Sequence, residues 1–249
     1  MAIIGIMDSG VGGLSVFKEI RKRLPDSRFI YFSDNAWCPY GEKSPEFITD
    51  RCRAITDLML SKGADAMVIA CNTATAAAIS TLRAEYEIPF VGMEPAVKPA
   101  ALGTKSGTIG VLATAGTLKG SKYLNTKGRF QDDVRIVEHV GKGFVELVES
   151  GELEGEHAEE VVRASLQPLL DAGADIIVLG GTHYPFLLPL LEKVACGKAL
   201  FIDPAPAVAR RLLAVMEENS IPAKNEEPGV ELISSAPSAR LKELASSLI

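Results

Sequence analysis

The stretch Gly63-Ala-Asp-Ala-Met-Val-Ile-Ala-Cys-Asn-Thr73 contains the pattern on which the fold prediction rests. Its run 66–70 is short, apolar and partly β-branched, which is typical of a buried strand in a parallel sheet. The Ala-rich segment after Cys71 predicts a helix, so this thiol lies where a strand ends and a helix begins. Unpaired N–H groups at a helix start favour negative charge and are expected to lower the pKa of the thiol. A small buried structural cysteine explains Cys71 equally well.

An internal duplication is predicted by three pairs of segments that match in the same order at nearly constant spacing. They are 63–73 with 173–183, 4–9 with 109–114, and 94–96 with 203–205. In the first pair the counterpart of Cys71 is Gly181, which carries no thiol. Strands alternate with helices in both halves, including a helix predicted over 117–127, and this alternation indicates parallel sheets built from βαβ units. Because such sheets bind ligands beyond the carboxyl ends of their strands, we expect both halves to face one central cleft.

Composition and charge narrow the class of protein. The 249 residues are 47% apolar and 23% charged, with a net charge of −6 and no basic stripe, which argues against nucleic acid as the main partner. The apolar runs are too short for a membrane helix, and no secretion signal opens the chain. The four cysteines lack CxxC spacing, and no His/Cys/carboxylate cluster has the spacing of metal ligands. We therefore expect reduced thiols, no metal, no membrane and a cytoplasmic location.

The predicted strand ends carry polar side chains that suit a small zwitterion such as an amino acid. They are Asp8, Ser9, Tyr40, Gly41, Cys71, Asn72, Thr73, Thr114, Thr117, Thr182 and His183. A carboxylate suits an ammonium group, hydroxyls, amides and helix N-termini suit carboxylates, and the thiol is a candidate acid/base. Two alternatives stay open. The Gly-rich stretch 8–13 could cradle a phosphate, although it lacks the Lys-Ser/Thr of a P-loop, and His183 could be a helix cap or core residue.

Several motifs, taken together and in order, resemble those of glutamate racemases of the aspartate/glutamate racemase superfamily. They are Asp8-Ser-Gly-Val-Gly-Gly-Leu14, Pro39-Tyr-Gly-Glu-Lys43, Ala70-Cys-Asn-Thr-Ala74, Glu94-Pro-Ala96, Ala113-Thr-Ala-Gly-Thr117, Phe144-Val-Glu-Leu-Val-Glu149 and Thr182-His-Tyr-Pro185. The resemblance covers nearly the whole chain. It implies an α/β fold of two pseudo-symmetric Rossmann-like domains with mostly parallel sheets. The second domain, 98–207, is then inserted in the first, 1–97 plus 208–249.

The resemblance also implies a cofactor-independent racemase that interconverts L- and D-glutamate and supplies D-glutamate for peptidoglycan. In the family two cysteines on opposite faces of the α-carbon act as base and acid, and Cys71 matches one of them. The implied substrate contacts are Asp8, Ser9, Tyr40, Gly41, Asn72, Thr73, Thr182 and His183. Asp8, His183 and Glu149 are expected to support the thiols. A homodimer is compatible with the sequence, which does not define the oligomeric state.

The chain departs from the family pattern at Gly181. Family members have Gly-Cys-Thr-His where this sequence has Gly180-Gly-Thr-His183, so the second catalytic cysteine is missing. Loss of a positioned acid/base typically lowers a rate by about 10²–10⁴-fold, so we expect glutamate binding with absent or much reduced racemisation. Two other functions stay open: a one-cysteine decarboxylase or isomerase of the same superfamily, and a non-catalytic glutamate-binding homologue. The retained polar residues favour glutamate over an aryl substrate.

Overall fold

The computed structural model describes residues 2–248, and Met1 and Ile249, at the two ends of the predicted first domain, lie outside the described residues. Within this range the strands are β1 (Ile3–Asp8), β2 (Arg28–Ser33), β3 (Ala64–Ile69), β4 (Phe90–Gly92), β5 (Thr108–Ala113), β6 (Arg135–Val140), β7 (Ile176–Gly180), β8 (Leu200–Ile202) and β9 (Gly229–Ser234). They form two sheets, and every described strand pair is parallel. The predicted α/β class is therefore confirmed.

Helices connect the strands, as expected for parallel pairs. They are α1 (Leu14–Arg23), α2 (Pro45–Ser61), α3 (Asn72–Glu85), α4 (Val97–Gly103), α5 (Ala115–Lys119), α6 (Ser121–Phe130), α7 (Phe144–Ser150), α8 (Glu156–Asp171), α9 (Leu188–Ala195), α10 (Ala205–Glu218) and α11 (Ala239–Leu248). Local signals explain where α2 begins. The Ser44 hydroxyl accepts a hydrogen bond from Phe47 N at 3.2 Å, and Pro45 occupies the first helical position. None of the helices formed by residues 2–248 is long and apolar enough to cross a membrane.

The two sheets repeat one strand order, which supports the predicted duplication. The first sheet has the order β4-β3-β1-β2-β9, and the second, taken from its other edge, has the order β8-β7-β5-β6. The segments that match in sequence put β5 in the place of β1 and β7 in the place of β3. The carboxyl ends of β3 and β7 therefore hold equivalent positions in their sheets. Cys71 lies just beyond the end of β3, after Ala70, and Gly181 directly follows β7.

One apolar core joins the two sheets. Side chains alternate along a strand, so each sheet turns one set of residues towards this core and the other set towards its outer helices. On β1 the inward residues are Ile4 and Ile6, and on β7 they are Ile177 and Leu179. Met7 packs in a separate cluster on the outer face of the first sheet, and Val178 in one on the outer face of the second. Packing of both inner faces into one cluster brings the strand ends of the two halves to the same cleft.

Two helical segments differ from the sequence prediction. The helix predicted over 117–127 is two helices, α5 and α6, because Gly120 is extended, with φ −68° and ψ 135°. An ideal Cβ on Gly120 would lie 2.7 Å from Ala76 Cβ, so glycine lets this turn contact α3 closely. Helix α4 was not predicted, and its short sequence, with Pro99 inside the first turn, has no clear helical period. The predicted domain boundaries after residues 97 and 207 stay predictions.

Candidate active site

A cavity of about 440 Å³ lies at the carboxyl ends of the strands of both sheets. Residues that follow β1, β3, β5, β6 and β7 form its wall, together with a 3₁₀ turn at Tyr40–Glu42. The residues of the wall that the sequence predicted are Ser9, Tyr40, Gly41, Cys71, Asn72, Thr73, Thr114, Gly181, Thr182 and His183. The cleft expected from the duplication is therefore present, and Cys71 and Gly181 both line it.

Cys71 is held at the junction of β3 and α3. Its Sγ caps the helix by accepting a hydrogen bond from Ala74 N at 3.4 Å, and its S–H donates to Ser9 Oγ at 3.6 Å. The side chain is nearly enclosed, with 4% of the residue exposed. Burial raises the pKa of the thiol to about 12, and the negative charge of Asp8 adds to this effect. The hydrogen bond from Ala74 N at the helix start lowers this pKa, as expected, but loss of water around the thiolate outweighs it, so the net pKa is raised and not lowered.

Asp8 lies behind the cavity wall and not in it. Its Oδ2 accepts a hydrogen bond from Gly10 N at 2.8 Å, and its Oδ1 accepts one from Thr182 Oγ1 at 3.1 Å. The side chain is fully buried, and this burial raises the pKa of the carboxyl group. Asp8 therefore acts on the cavity by orienting Thr182 and by placing its charge near Cys71.

His183 is tied to Glu149, which also lies behind the wall. His183 Nε2 is 2.7 Å from Glu149 Oε1, and the same oxygen accepts a hydrogen bond from Val11 N at 2.8 Å. Burial lowers the pKa of His183, but the hydrogen bond to Glu149 and the charges of Asp8 and Glu149 raise it, and the net pKa is raised. Burial raises the pKa of Glu149, but His183, together with the hydrogen bonds from Val11 N and Cys38, lowers it, and the net pKa is lowered. The imidazole is therefore held as a partner of Glu149.

Cys38 joins this pair, which gives a grouping that the sequence did not predict. The thiol of Cys38 is 3.8 Å from Glu149 Oε1, and the ligand atoms of Cys38, Glu149 and His183 all lie within 4.8 Å of one another. Such a set resembles metal ligands. The short contact from His183 to Glu149 is a direct hydrogen bond, and burial and the charge of Glu149 raise the pKa of the Cys38 thiol. The hydrogen bonds of Cys38 and His183 to the same oxygen of Glu149 account for the grouping.

Asn72 has an unsatisfied amide beside Cys71. Its Nδ2 and Oδ1 are both buried and have no hydrogen-bond partner, although the residue lines the cavity and is only 4% exposed. A buried amide without partners destabilises a folded protein, so native structures rarely contain one. Asn72 therefore leaves one donor and one acceptor unpaired next to the cavity, and these are the groups that a carboxylate and an ammonium group pair with.

Threonine hydroxyls link the two halves next to the cavity. Thr73 Oγ1, which follows β3, is hydrogen-bonded to Thr114 Oγ1, which follows β5, at 2.9 Å. Thr114 Oγ1 is in turn 2.8 Å from Thr117 Oγ1 and caps α5 by accepting from Thr117 N. Thr117 is buried and does not line the cavity. It therefore positions Thr114 and Thr73, which both line the wall.

The hydroxyl group of Tyr40 is already used within the protein. It donates to Asp34 Oδ2 at 2.5 Å, and Arg51 donates to both carboxylate oxygens of Asp34 at 2.9 and 2.7 Å. Asp34 is fully buried, so this arrangement fixes the 3₁₀ turn that follows Pro39. Tyr40 therefore contributes its ring to the cavity wall, and Gly41 contributes its backbone. An ideal Cβ on Gly41 would meet no atom within 4 Å.

Four residues with ionisable side chains line the cavity that the sequence did not predict as site residues. They are Glu42, Lys142, Glu146 and Tyr184. Lys142 and Glu146 follow β6, and the strand-end rule that found the other residues applies to this strand as well. The signal was weak because the local sequence does not show how far β6, which ends at Val140, extends.

Comparison with known proteins identifies the relatives of the chain. The Asp/Glu/hydantoin racemase family matches residues 4–212. A glutamate racemase of Stutzerimonas stutzeri is 48% identical over 226 residues, which are 90% of this chain and 86% of that protein. The chain belongs to the Asp/Glu/hydantoin racemase family. This racemase family includes the proteins whose motifs the sequence resembles, so the predicted resemblance to glutamate racemases is confirmed.

Solved racemase structures share the fold over nearly the full length. Escherichia coli glutamate racemase, in complex with L-glutamate and the activator UDP-MurNAc-Ala, gives a TM-score of 0.89 at 35% identity and covers 99% of this chain and 95% of that chain. Francisella tularensis glutamate racemase, in complex with D-glutamate, gives a TM-score of 0.84 at 26% identity and covers 99% and 93%. The predicted fold of two domains with parallel sheets around a cleft is confirmed.

Proposed function

We propose that this chain is a cofactor-independent glutamate racemase in which Cys71 transfers the proton on one face of the α-carbon. The proposal rests on the glutamate racemases to which the chain is similar and on the chemistry of the cavity wall. Removing an α-proton needs a base next to the bound α-carbon, and Cys71 is the enclosed thiol at this wall. Its raised pKa makes the thiolate a strong base once it forms.

One observation carries the proposal for an amino-acid substrate: the unsatisfied Asn72 amide lies beside Cys71. A substrate carboxylate would accept from Nδ2, and its ammonium group would donate to Oδ1. The adjacent hydroxyls of Thr73 and Thr114 add further hydrogen-bonding groups. The Thr182 hydroxyl, which donates its proton to Asp8, adds an acceptor for the ammonium group. The apolar wall that an aryl substrate would need is not formed by these residues.

Gly181 is proposed to reduce turnover, because the position opposite Cys71 has no side chain that could return a proton. Thr182, beside it, has a hydroxyl that is bound to Asp8. His183 is bound to Glu149, and the Tyr184 hydroxyl is fully buried. One-face proton exchange by Cys71 is then expected to be faster than full racemisation, which needs a donor on each face.

Optical rotation of D- and L-glutamate tests the proposal, with Gly181→Cys and Gly181→Ala alongside the unmodified chain. Both variants add a Cβ at this position, and only the first adds a thiol. We expect Gly181→Cys to racemise glutamate about 10²–10⁴-fold faster than Gly181→Ala. A Gly181→Cys variant that is folded and binds glutamate but stays inert would contradict the racemase proposal and favour a glutamate-binding homologue without catalysis.

The cellular role proposed for this activity is the supply of D-glutamate for peptidoglycan in the cytoplasm. The four cysteines are unpaired in the described structure, which suits a reducing compartment. A homodimer stays a prediction, and light scattering of the purified chain measures it.

A further inference from the structure

Lys142 is the one lysine or arginine among the residues that line the cavity in the described chain. The other exposed charged residues of the wall are the carboxylates Glu42 and Glu146. Glutamate carries two carboxylates and one ammonium group, so acidic groups at the wall oppose its entry. The positive charge of Lys142 therefore offsets the repulsion between these wall carboxylates and an anionic amino acid.

The Lys142 side chain is free to bind a ligand. Fifteen ion pairs are formed by the described residues, and Lys142 takes part in none of them. No hydrogen bond of its ammonium group is present between residues 2 and 248 either, and the residue is exposed. Lysine has a flexible stem and rotatable donors, so it can follow a carboxylate without first breaking another contact.

The backbone that carries Lys142 is held firmly although the side chain is free. Lys142 N donates to Val140 O at 2.9 Å, and the preceding Gly141 N donates to Ala113 O at 3.1 Å. An ideal Cβ on Gly141 would lie 2.7 Å from the Tyr184 hydroxyl, and one on Gly181 would lie 2.8 Å from Tyr184 Cε1. The Tyr184 ring therefore spans the space between Gly141 and Gly181. Lys142 is thus anchored near the position opposite Cys71.

We propose that Lys142 binds the side-chain carboxylate of the substrate at the mouth of the cavity. The assignment rests on the proposed glutamate racemase function. The α-carbon must lie next to Cys71, which is almost fully enclosed, so the substrate side chain extends from there towards the exposed part of the wall. Lys142 is exposed at that part, and an ammonium group there forms a charge-assisted hydrogen bond with the carboxylate.

Calorimetric titration with D-glutamate, L-glutamate and L-glutamine tests the assignment without any need for turnover. Lys142→Met keeps the length of the stem and removes the charge. We expect its Kd for glutamate to rise about tenfold, which is the scale of one charge-assisted hydrogen bond, and its Kd for the neutral glutamine to change less than about twofold. Lys142→Arg is expected to keep most of the affinity for glutamate.

Lys105→Met is the matched control, because it removes the same charge from an exposed lysine that precedes β5, at the end of the sheet opposite the cavity. Its affinities are expected to stay unchanged. Equal glutamate affinity in Lys142→Met and the unmodified chain overturns the assignment, and so does an equal loss for glutamate and glutamine. If the unmodified chain binds neither enantiomer of glutamate, the proposed function itself fails.

Discussion

The ring of Tyr184 packs directly on Gly181. An ideal Cβ on Gly181 would lie 2.8 Å from Tyr184 Cε1 and 3.0 Å from Cδ1 and Cζ. The ring cannot move aside easily, because it is fully buried and meets the ring of Phe144 edge-on, with centroids 4.9 Å apart. The structure around residue 181 is therefore fitted to glycine, and any side chain added there must displace an aromatic core residue.

Gly181→Ala is consequently expected to lower the free energy of unfolding by about 1–3 kcal/mol, the usual effect of overpacking a close-packed site. Gly128→Ala is a control of opposite sign. Gly128 lies inside α6, where an added Cβ would meet no atom within 4 Å, so alanine should stabilise the helix by about 0.5–1 kcal/mol. Urea unfolding of both variants measures the two effects, and equal stability of Gly181→Ala and the unmodified chain would show that Tyr184 yields freely.

Asn72→Ala is expected to separate binding from stability. The Asn72 amide has no partner in the free protein, so its removal should leave the unfolding free energy unchanged or higher, while the Kd for glutamate rises at least about tenfold. Calorimetry and thermal unfolding measure the two quantities.

Thr75→Val is the matched control on the same helix. The Thr75 hydroxyl donates to Ile69 O and accepts from Met93 N, both at 3.0 Å, and does not line the cavity. This variant should lose about 1–3 kcal/mol of stability and keep its affinity for glutamate. The opposite pattern, with a destabilised Asn72→Ala that binds normally, would assign Asn72 a structural role.

The raised pKa of Cys71 predicts slow alkylation at neutral pH. With a pKa of about 12, the thiolate fraction should rise about tenfold for each pH unit between pH 8 and 10, without levelling off. Peptide mass spectrometry after reaction with iodoacetamide measures the rate at this one cysteine. A rate that reaches its plateau below pH 9 would mean that the helix start controls the thiol after all. Saturating glutamate is expected to protect it.

Glu149→Gln is expected to be most destabilising in mildly acidic solution. The raised pKa of His183 gives a stabilisation that is fully present below the ordinary pKa of 6.5 and is lost as pH rises through the raised value. The lowered pKa of Glu149 gives a second stabilisation, which is present above the ordinary pKa of 4.5 and is lost as pH falls through the lowered value. Both are therefore complete between about pH 5 and 6, where we expect a loss of about 1–3 kcal/mol that shrinks by pH 9.

Glu152→Gln provides the comparison for this pair. Glu152 Oε1 is 2.8 Å from His157 Nδ1, but both side chains are largely exposed, at 44% and 65%. An exposed pair contributes about 0–1 kcal/mol, so this variant should show little pH-dependent loss. Urea unfolding at pH 5.5 and pH 9 distinguishes the two, and equal effects of both substitutions would argue against a special role of the buried His183.

Strand periodicity and the strand-end rule were enough to predict parallel sheets and half of the residues of the cavity wall. Ser9, Cys71, Asn72 and Thr182 were found because the ends of parallel strands meet at one edge. Whether a residue lines the cavity or lies behind its wall depends on contacts between distant parts of the sequence. The hydrogen bond from Thr182 to Asp8, for example, joins residues 174 positions apart, and local sequence patterns do not predict it. Asp8, Thr117 and Glu149 therefore lie behind the wall and not in it.

The sequence also did not predict the direction in which the pKa of Cys71 is shifted. The helix start at Cys71 is visible in the sequence, but the burial that outweighs it is a property of the assembled fold. Lys142 was missed because the local sequence does not show where β6 ends, and only the folded chain places this residue at the cavity. Gly181, by contrast, was visible from the duplication alone.

We propose that Cys71 removes an α-proton from bound glutamate. Loss of the α-proton NMR signal of D- and L-glutamate in D₂O measures this step directly, for the unmodified chain and for Cys71→Ala. We predict that the unmodified chain exchanges the α-proton of one enantiomer faster than it racemises either, and that Cys71→Ala exchanges neither. Absence of exchange in the unmodified chain, or exchange that persists in Cys71→Ala, would contradict the account.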